Sequence, residues 1–175
     1  MRNIRGLVFY FASLIIVFVS ACSQKSTEVT EVKHYPIDSM EGIITKSGVK
    51  LDKEISSDGN GSLYIATNKP VTVRLYETGD IDVENSQLFY QAKLRTEGVE
   101  GQVYIEMWCH FPAKGEFFSR ALQSPLSGSQ EWTSQETSFF LKKGENPDNV
   151  KINLVVNGKG NVWIDDIRLM KAPLK

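Results

Sequence analysis

The 175-residue sequence has few of the residues on which several protein classes depend. Two cysteines and two histidines are too few for a disulfide-stapled scaffold, and they show no zinc-site spacing. The 20 basic and 21 acidic side chains leave a net charge of −1, without the basic surplus typical of a nucleic-acid-binding protein. At 41% apolar residues, the chain is too hydrophobic for intrinsic disorder, and its length suits one domain.

The N-terminal segment has the pattern of a secretory signal peptide. Arg2 and Arg5 precede an apolar run at residues 7–19 that only Ser13 interrupts. A membrane-spanning helix needs roughly 20 apolar residues, so this run is short for a permanent anchor and suits the hydrophobic part of a leader. We therefore predict that residues 1–21 form a signal peptide that is removed from the mature protein.

The residues at the end of this leader, Val19-Ser20-Ala21-Cys22, resemble the lipobox of bacterial lipoproteins. The resemblance implies that Cys22 is acylated, becomes the mature N-terminus and attaches the protein to a lipid bilayer of the cell envelope. Ser23 follows the cysteine where an aspartate would favour inner-membrane retention, which implies the outer membrane if the organism is Gram-negative. The alternatives are an ordinary signal peptide or a short membrane helix with a chance cysteine.

A segment rich in Ser, Thr, Glu and Lys follows the cysteine and predicts a flexible tether over residues 22–34. The folded domain is then expected over residues 35–175. Acylation of Cys22 would leave Cys109 without a partner, so we predict that Cys109 is a buried free thiol.

From residue 43 onward, apolar and polar residues alternate in short runs that turn sequences separate. Such alternation is typical of half-buried strands, because successive side chains point to opposite faces of a sheet. No segment shows a helical stripe with capping residues. We predict an all-β single domain of about eight to ten antiparallel strands, folded as a sandwich or barrel. The main runs are residues 49–55, 63–65, 71–76, 81–83, 88–94, 103–109 and 150–156.

A segment after these runs, residues 160–169, resembles the closing strand of jelly-roll carbohydrate-binding modules, in the galactose-binding-domain-like group. It reads Gly160-Asn161-Val162-Trp163-Ile164-Asp165-Asp166-Ile167-Arg168-Leu169. Segments 38–42, 58–63 and 132–141 match the same pattern in the same order, so the resemblance extends over about residues 36–171. It implies a single jelly-roll β-sandwich. It is less specific for sugar binding, because such folds also serve as structural and protein-binding modules.

The same resemblance implies a structural calcium ion held between an early acidic residue and a late aspartate. In this sequence the ligands would be Glu41 with Asp165 or Asp166, together with main-chain oxygens, since calcium takes about six to eight oxygen ligands. The alternative is that these carboxylates are hydrogen-bonded or solvated. No redox cofactor is expected.

One strand offers a candidate ligand-binding face, composed of Tyr104, Glu106, Trp108 and His110. Aromatic rings stack on the apolar faces of sugars, and polar neighbours bond the sugar hydroxyls. Trp163, with Lys151 and Asn153, would widen this face into a groove if their strands lie in the same sheet. Alternatively, the segment 112–119 covers the aromatic side chains, or it forms a groove wall from which Arg120 reaches a carboxylate.

Catalysis is not predicted. Glu106 has no evident second carboxylate of the kind that glycosidases use, and the Gly-x-Ser-x-Gly motif is absent from the sequence. We predict a membrane-anchored lipoprotein with a non-catalytic, carbohydrate-binding-like module that binds glycan on its aromatic face. The alternative is a structural or protein-interaction module that contacts an envelope protein and binds no sugar. No nucleic-acid partner is expected.

Overall fold

The computed structural model describes residues 28–174, and every regular element within them is a β-strand. This confirms the all-β prediction, and the eight strands lie at the lower end of the expected number. Residues 28–174 contain no helix of the length and hydrophobicity needed to cross a membrane. The strands are β1 Thr30–Tyr35, β2 Val49–Asp52, β3 Ser62–Thr67, β4 Val71–Thr78, β5 Ser86–Phe111, β6 Gly115–Arg120, β7 Leu126–Leu141 and β8 Asn149–Pro173.

The long strands β5 and β8 form the centre of the molecule, since they pair antiparallel over nearly their whole lengths. Both bend midway, where their register shifts between Glu97 and Glu100. The bend requires glycine because the two backbones approach each other closely there. A Cβ atom on Gly101 would lie 2.2 Å from the carbonyl oxygen of Asn157, so no larger residue fits unless a backbone moves.

The bend divides the strands into two layers. In the first sheet, the second half of β5 and the first half of β8 lie between β6 and β4. In the second sheet, the other halves of β5 and β8 lie between β7 on one side and β1 and β3 on the other, with β2 beyond β3. The layers face each other, because the Tyr90 hydroxyl of the second sheet donates to the Asn153 carbonyl of the first at 3.4 Å.

The core between the layers consists of alternate side chains on the central strands. In the predicted runs 88–94, 103–109 and 150–156, every second residue, counted from the first, is apolar and fully buried. Cys109 is a free thiol within this core, as predicted, and burial raises its pKa to about 12. The thiol is therefore protonated and unreactive at neutral pH.

The structure corrects the predicted start of the domain. Residues 30–35 form β1, which pairs antiparallel with β8, so the prediction of a tether that extends to residue 34 and a domain that begins at residue 35 is wrong. Only Val32 and Tyr35 of this strand pack against the core. The other residues are polar, so the sequence showed no strand pattern here, and the strand is stabilised by its main-chain pairing with β8. The predicted signal peptide and the acylated Cys22 lie outside the described residues.

Residues 81–83 are not a strand, contrary to the prediction, although Ile81 and Val83 are buried. The segment lies between Asp80 and Asn85, which both have left-handed backbone angles (φ 52° and 53°). The main-chain N–H of Val83 donates to the side-chain oxygen of Asn146 at 2.9 Å. Burial of a loop against the core therefore produced the same alternation that a strand would have.

Candidate functional site

The four predicted ligand-binding residues of β5 lie on the outer face of the first sheet, which we call the β5 face. Their side chains alternate with the buried set at 103–109, and the register places β6 on one side of β5 and β8 on the other. Two rows of side chains cross this face, namely Phe118, Trp108, Lys151 and Glu77, and then Arg120, Glu106, Asn153 and Arg74. The register thus brings Lys151 and Asn153 onto the face that carries Trp108.

Trp108 and Phe118 form the aromatic part of the β5 face. Their ring centroids lie 5.1 Å apart with the planes tilted by 48°, and Phe118 is 51% exposed while Trp108 is half-buried. The guanidinium carbon of Arg120 lies 4.2 Å from the Phe118 ring centroid, a cation–π contact. The face therefore presents two apolar ring surfaces beside a cation.

Glu106 is the buried polar centre of the β5 face and is only 4% exposed. Arg120 donates from Nε to its carboxylate at 2.6 Å, and Asn153 donates from Nδ2 to the other oxygen at 3.1 Å. A buried carboxylate is tolerated only with such partners. The pair fixes the Arg120 side chain, whose terminal nitrogens have no hydrogen-bond partner within residues 28–174, so they remain accessible to a ligand.

Two polar side-chain pairs border the β5 face, one hydrogen-bonded and one ionic. The Nδ1 atom of His110 lies 2.5 Å from an Asp148 carboxylate oxygen, and Lys151 pairs with Glu116 of β6. These side chains carry donors and acceptors that a polyhydroxylated ligand can use, and exposed pairs of this kind exchange readily with water.

Tyr104 lies at the far end of the β5 face and is less accessible than predicted. It is buried, and it lines a shallow cleft of about 320 Å³ with Thr72 and Val155. Of the four predicted residues on β5, Trp108 and His110 are therefore the ones with substantial exposed surface.

The segment 112–119, which we expected either to cover the aromatic side chains or to form a wall, belongs mostly to strand β6. It lies beside β5 in the same sheet, so Phe118 stands next to Trp108 instead of over it. Arg120 reaches the Glu106 carboxylate, as the wall alternative predicted. Sequence reasoning missed Phe118 as an exposed ring of this face, although its two-residue spacing from Glu116 and Arg120 was a usable signal.

The structure does not bring Trp163 to the β5 face. This tryptophan lies in the half of β8 that belongs to the second sheet, and it is only 4% exposed. Tyr64 packs against its ring with centroids 4.9 Å apart, and its Nε1 donates to Asp52 at 2.9 Å. That hydrogen bond lowers the pKa of Asp52. Trp163 therefore packs against neighbouring side chains on the opposite side of the sandwich, and the predicted groove that included it is not formed.

The carboxylates of Asp165 and Asp166 are occupied by protein partners. Asp165 is fully buried, and it accepts main-chain N–H bonds from Ser57 at 2.8 Å and from Asp166 at 2.7 Å. Burial raises the pKa of Asp165 despite these bonds. The Asp166 carboxylate contacts three basic side chains, those of His34, Lys93 and Arg168.

These contacts give no support to the predicted calcium site. Glu41 lies on an exposed turn, and no group of three His, Cys, Asp or Glu side chains in the described part of the chain is arranged to hold a metal ion. Calcium needs about six to eight oxygen ligands, whereas Asp166 lies among cationic groups. Asp166 also has a left-handed backbone (φ 47°) at a register shift between β5 and β8, so a β-bulge interrupts the strand at this point.

Comparison with known proteins identifies the architecture. No protein-family model matches the sequence, and no curated protein matches it. The CBM22-1 xylan-binding domain of Xyn10C from Paenibacillus barcinonensis superposes with a TM-score of 0.61 at 10% identity, covering 87% of this chain and all of that domain. The chain has a jelly-roll fold.

Two further jelly-roll structures are similar. Family 16 Carbohydrate Binding Module-2 gives a TM-score of 0.54 at 13% identity and covers 74% of this chain and 91% of that one. The CBM22-1 and GH10 modules of xylanase 10B from Clostridium thermocellum, complexed with xylohexaose, give 0.57 at 10% identity, covering 80% of this chain and 28% of that longer one. At these identities the likeness concerns the fold, and the chemistry of the β5 face is argued from this chain alone.

Proposed function

We propose that the protein is a membrane-anchored lipoprotein whose non-catalytic jelly-roll module binds a glycan on the β5 face. The observation that carries this proposal is the accessible pair of rings, Trp108 and Phe118, beside the partly unsatisfied guanidinium of Arg120. Sugars present apolar C–H faces to aromatic rings and hydroxyl groups to charged donors and acceptors. The arrangement offers both kinds of contact within one sheet face.

The fold comparisons support a carbohydrate ligand. The similar structures include a domain described as xylan-binding and a module complexed with xylohexaose. Xylan and xylo-oligosaccharides are therefore the first ligands to try, followed by other plant and microbial β-glycans.

A binding experiment with matched variants tests the proposal. Affinity electrophoresis and calorimetry of the folded protein are expected to show binding that Trp108→Ala abolishes and Phe118→Ala weakens. Phe140→Ala is the control, because Phe140 is an exposed aromatic residue of β7 in the other sheet. If the wild-type protein binds no glycan, or if Trp108→Ala binds as well as the wild type, the β5 face is not a sugar site.

The absence of catalysis is part of the proposal. Glycosidases use two carboxyl groups that face each other across the substrate. Glu106 is instead buried and held by Arg120 and Asn153. We expect no release of reducing sugar from any glycan that the protein binds.

The proposed location is the cell envelope, and the outer membrane if the organism is Gram-negative, through acylated Cys22. The support is the lipobox-like segment that ends at Cys22, with Ser23 after it. Replacing Cys22 with serine is expected to move the protein from the membrane fraction to the soluble fraction. Unchanged membrane association of the Cys22→Ser variant would refute the lipid anchor.

A further inference from the structure

A partly exposed group of aromatic side chains lies away from the β5 face, where the edge strands β6 and β7 of the two sheets meet. Phe111, Phe117, Phe139 and Phe140, which we call the phenylalanine cluster, line a cleft of about 300 Å³ together with Lys114 and Glu145. Phe117 is 49% exposed and Phe140 is 68% exposed. Neither side chain takes part in the proposed glycan site, and exposed aromatic groups of this kind indicate an interaction surface.

The phenylalanine cluster lies at the end of the sandwich where the described chain begins. Thr30 pairs with Lys171, Lys171 pairs with Leu88, and Leu88 pairs with Phe139, so these four residues form one row across the second sheet. Because neighbouring strands lie about 4.8 Å apart, the first and last backbones in this row are separated by about 14 Å. Val29, immediately before β1, is a further exposed apolar side chain at this end.

The length of chain before β1 keeps this end close to the proposed lipid anchor. Seven residues lie between Cys22 and Thr30, so the eight steps from one Cα atom to the next span at most about 29 Å even when fully extended. The opposite end of the sandwich, at the bend of β5, is roughly 33 Å further along the strands. The phenylalanine cluster, about 14 Å from Thr30, is therefore within reach of a bilayer that holds acylated Cys22, whereas the bend lies beyond the full extension of this segment.

We infer that the sandwich rests on the bilayer surface through the phenylalanine cluster, with Phe117 and Phe140 in the boundary between headgroups and acyl chains. The inference depends on the proposed anchor at Cys22. Charges near the cluster are nearly balanced, since the exposed Lys142 and Lys143 are accompanied by the Lys114–Glu145 ion pair and by Glu84. The contact is accordingly apolar, and aromatic side chains are well suited to it.

This orientation leaves the proposed glycan site free. Along β5 from Phe111, Trp108 is about 10 Å away and Tyr104 about 23 Å away, on a face that runs up the side of the sandwich. A glycan could lie across Trp108 and Phe118 while the protein remains on the membrane.

The test uses the full mature protein with its acylated cysteine, reconstituted into phosphatidylcholine vesicles. A cysteine is introduced as Phe140→Cys, or at the opposite end as Ser127→Cys, and is labelled with an environment-sensitive fluorophore. Cys109 does not compete for the label because it is fully buried. A blue-shifted emission that brominated lipids quench is expected at position 140, and a water-like, unquenched emission is expected at position 127.

A second pair of variants separates the cluster from general surface hydrophobicity. With the label at position 140, Phe117→Ser is expected to reduce the quenching. Leu122→Ser, which alters another half-exposed apolar residue outside the cleft, is expected to leave it unchanged.

The outcomes distinguish the two proposals. If the protein floats with the vesicles but position 140 is as aqueous as position 127, the anchor stands and the surface contact is overturned. If the protein does not float, the anchor fails and the inference fails with it. Glycan binding, measured on the same preparation, is independent of both results.

Discussion

Replacing Glu106 with glutamine tests whether the buried carboxylate is the structural centre of the β5 face. The substitution keeps the side-chain volume and one acceptor oxygen, but it removes the charge that Arg120 contacts at 2.6 Å. The amide nitrogen of the new side chain would also meet the amide nitrogen of Asn153, which now donates at 3.1 Å. Two donors would then face each other in a buried position unless the Asn153 amide rotates to present its oxygen.

The expected loss follows from these contacts. A hydrogen bond to a charged group contributes about 1.5–3 kcal/mol and a neutral one about 0.5–1.5 kcal/mol, so loss of the charge costs about 1–1.5 kcal/mol. The unsatisfied donor adds to this cost, whereas relief of the desolvation of a buried carboxylate and the hydration of Arg120, which is one-third exposed, reduce it. We expect Glu106→Gln to lower the free energy of unfolding by about 1–2 kcal/mol, which corresponds to about 3–6 °C in Tm.

Urea and thermal unfolding measure this loss, with Glu116→Gln as the control. Glu116 also pairs with a basic residue on this face, but its side chain is more exposed, so its replacement should cost no more than about 0.5 kcal/mol. Arg120→Gln and the double variant complete a cycle that isolates the coupling between Glu106 and Arg120. If Glu106→Gln costs no more than Glu116→Gln, or if the coupling is absent, the buried pair does not stabilise this face.

Three further outcomes are expected. Burial opposes ionisation of Asp166, but hydrogen bonds from its basic neighbours lower its pKa below 3.8. Asp166→Asn should therefore reduce the free energy of unfolding by about 1–2 kcal/mol at pH 6. The difference between variant and wild type should disappear as the pH falls through the lowered pKa, because protonation removes the same charge from the wild type. A difference of constant size down to pH 2 would contradict this account. Gly101→Ala should lower the free energy of unfolding by at least about 3 kcal/mol, because the added Cβ would lie 2.2 Å from a backbone oxygen. Gly128 also has a positive φ but lies in open space, so Gly128→Ala should lower it by only about 1–2 kcal/mol in the same unfolding assay. The thiol of Cys109 should react with a disulfide reagent only in urea-unfolded protein, and rapid reaction of the native protein would refute its burial in the core.

The local alternation of residues was sufficient to predict the all-β class and the two faces of central β5. Side chains on a strand point alternately to opposite faces whichever strands lie alongside. The sequence therefore separated Val103 and Cys109 of the core from Trp108 and His110 of the outer face. Cys109 could likewise be predicted as a buried thiol from its place in this alternation.

Strand β1 could not be predicted in this way, because it is stabilised mainly by main-chain pairing with β8. Few of its side chains enter the core, and its backbone pairs with β8. Main-chain pairing of this kind is hardly detectable in the sequence, since a mostly polar edge strand and a polar tether have similar compositions.

Sequence by itself thus determined which residues alternate, which of them are apolar, and that Trp108 belongs to a face with a mixed polar and aromatic character. Only the tertiary structure decided that Trp163 lies on the opposite side of the sandwich, that Phe118 stands beside Trp108, and that Asp166 sits in a bulge among basic side chains. The physical reason is that alternation acts between adjacent residues, whereas strand order, register and bends join residues that are far apart in the chain. Those long-range pairings decide which aromatic side chains meet a ligand and which pack against their own neighbours.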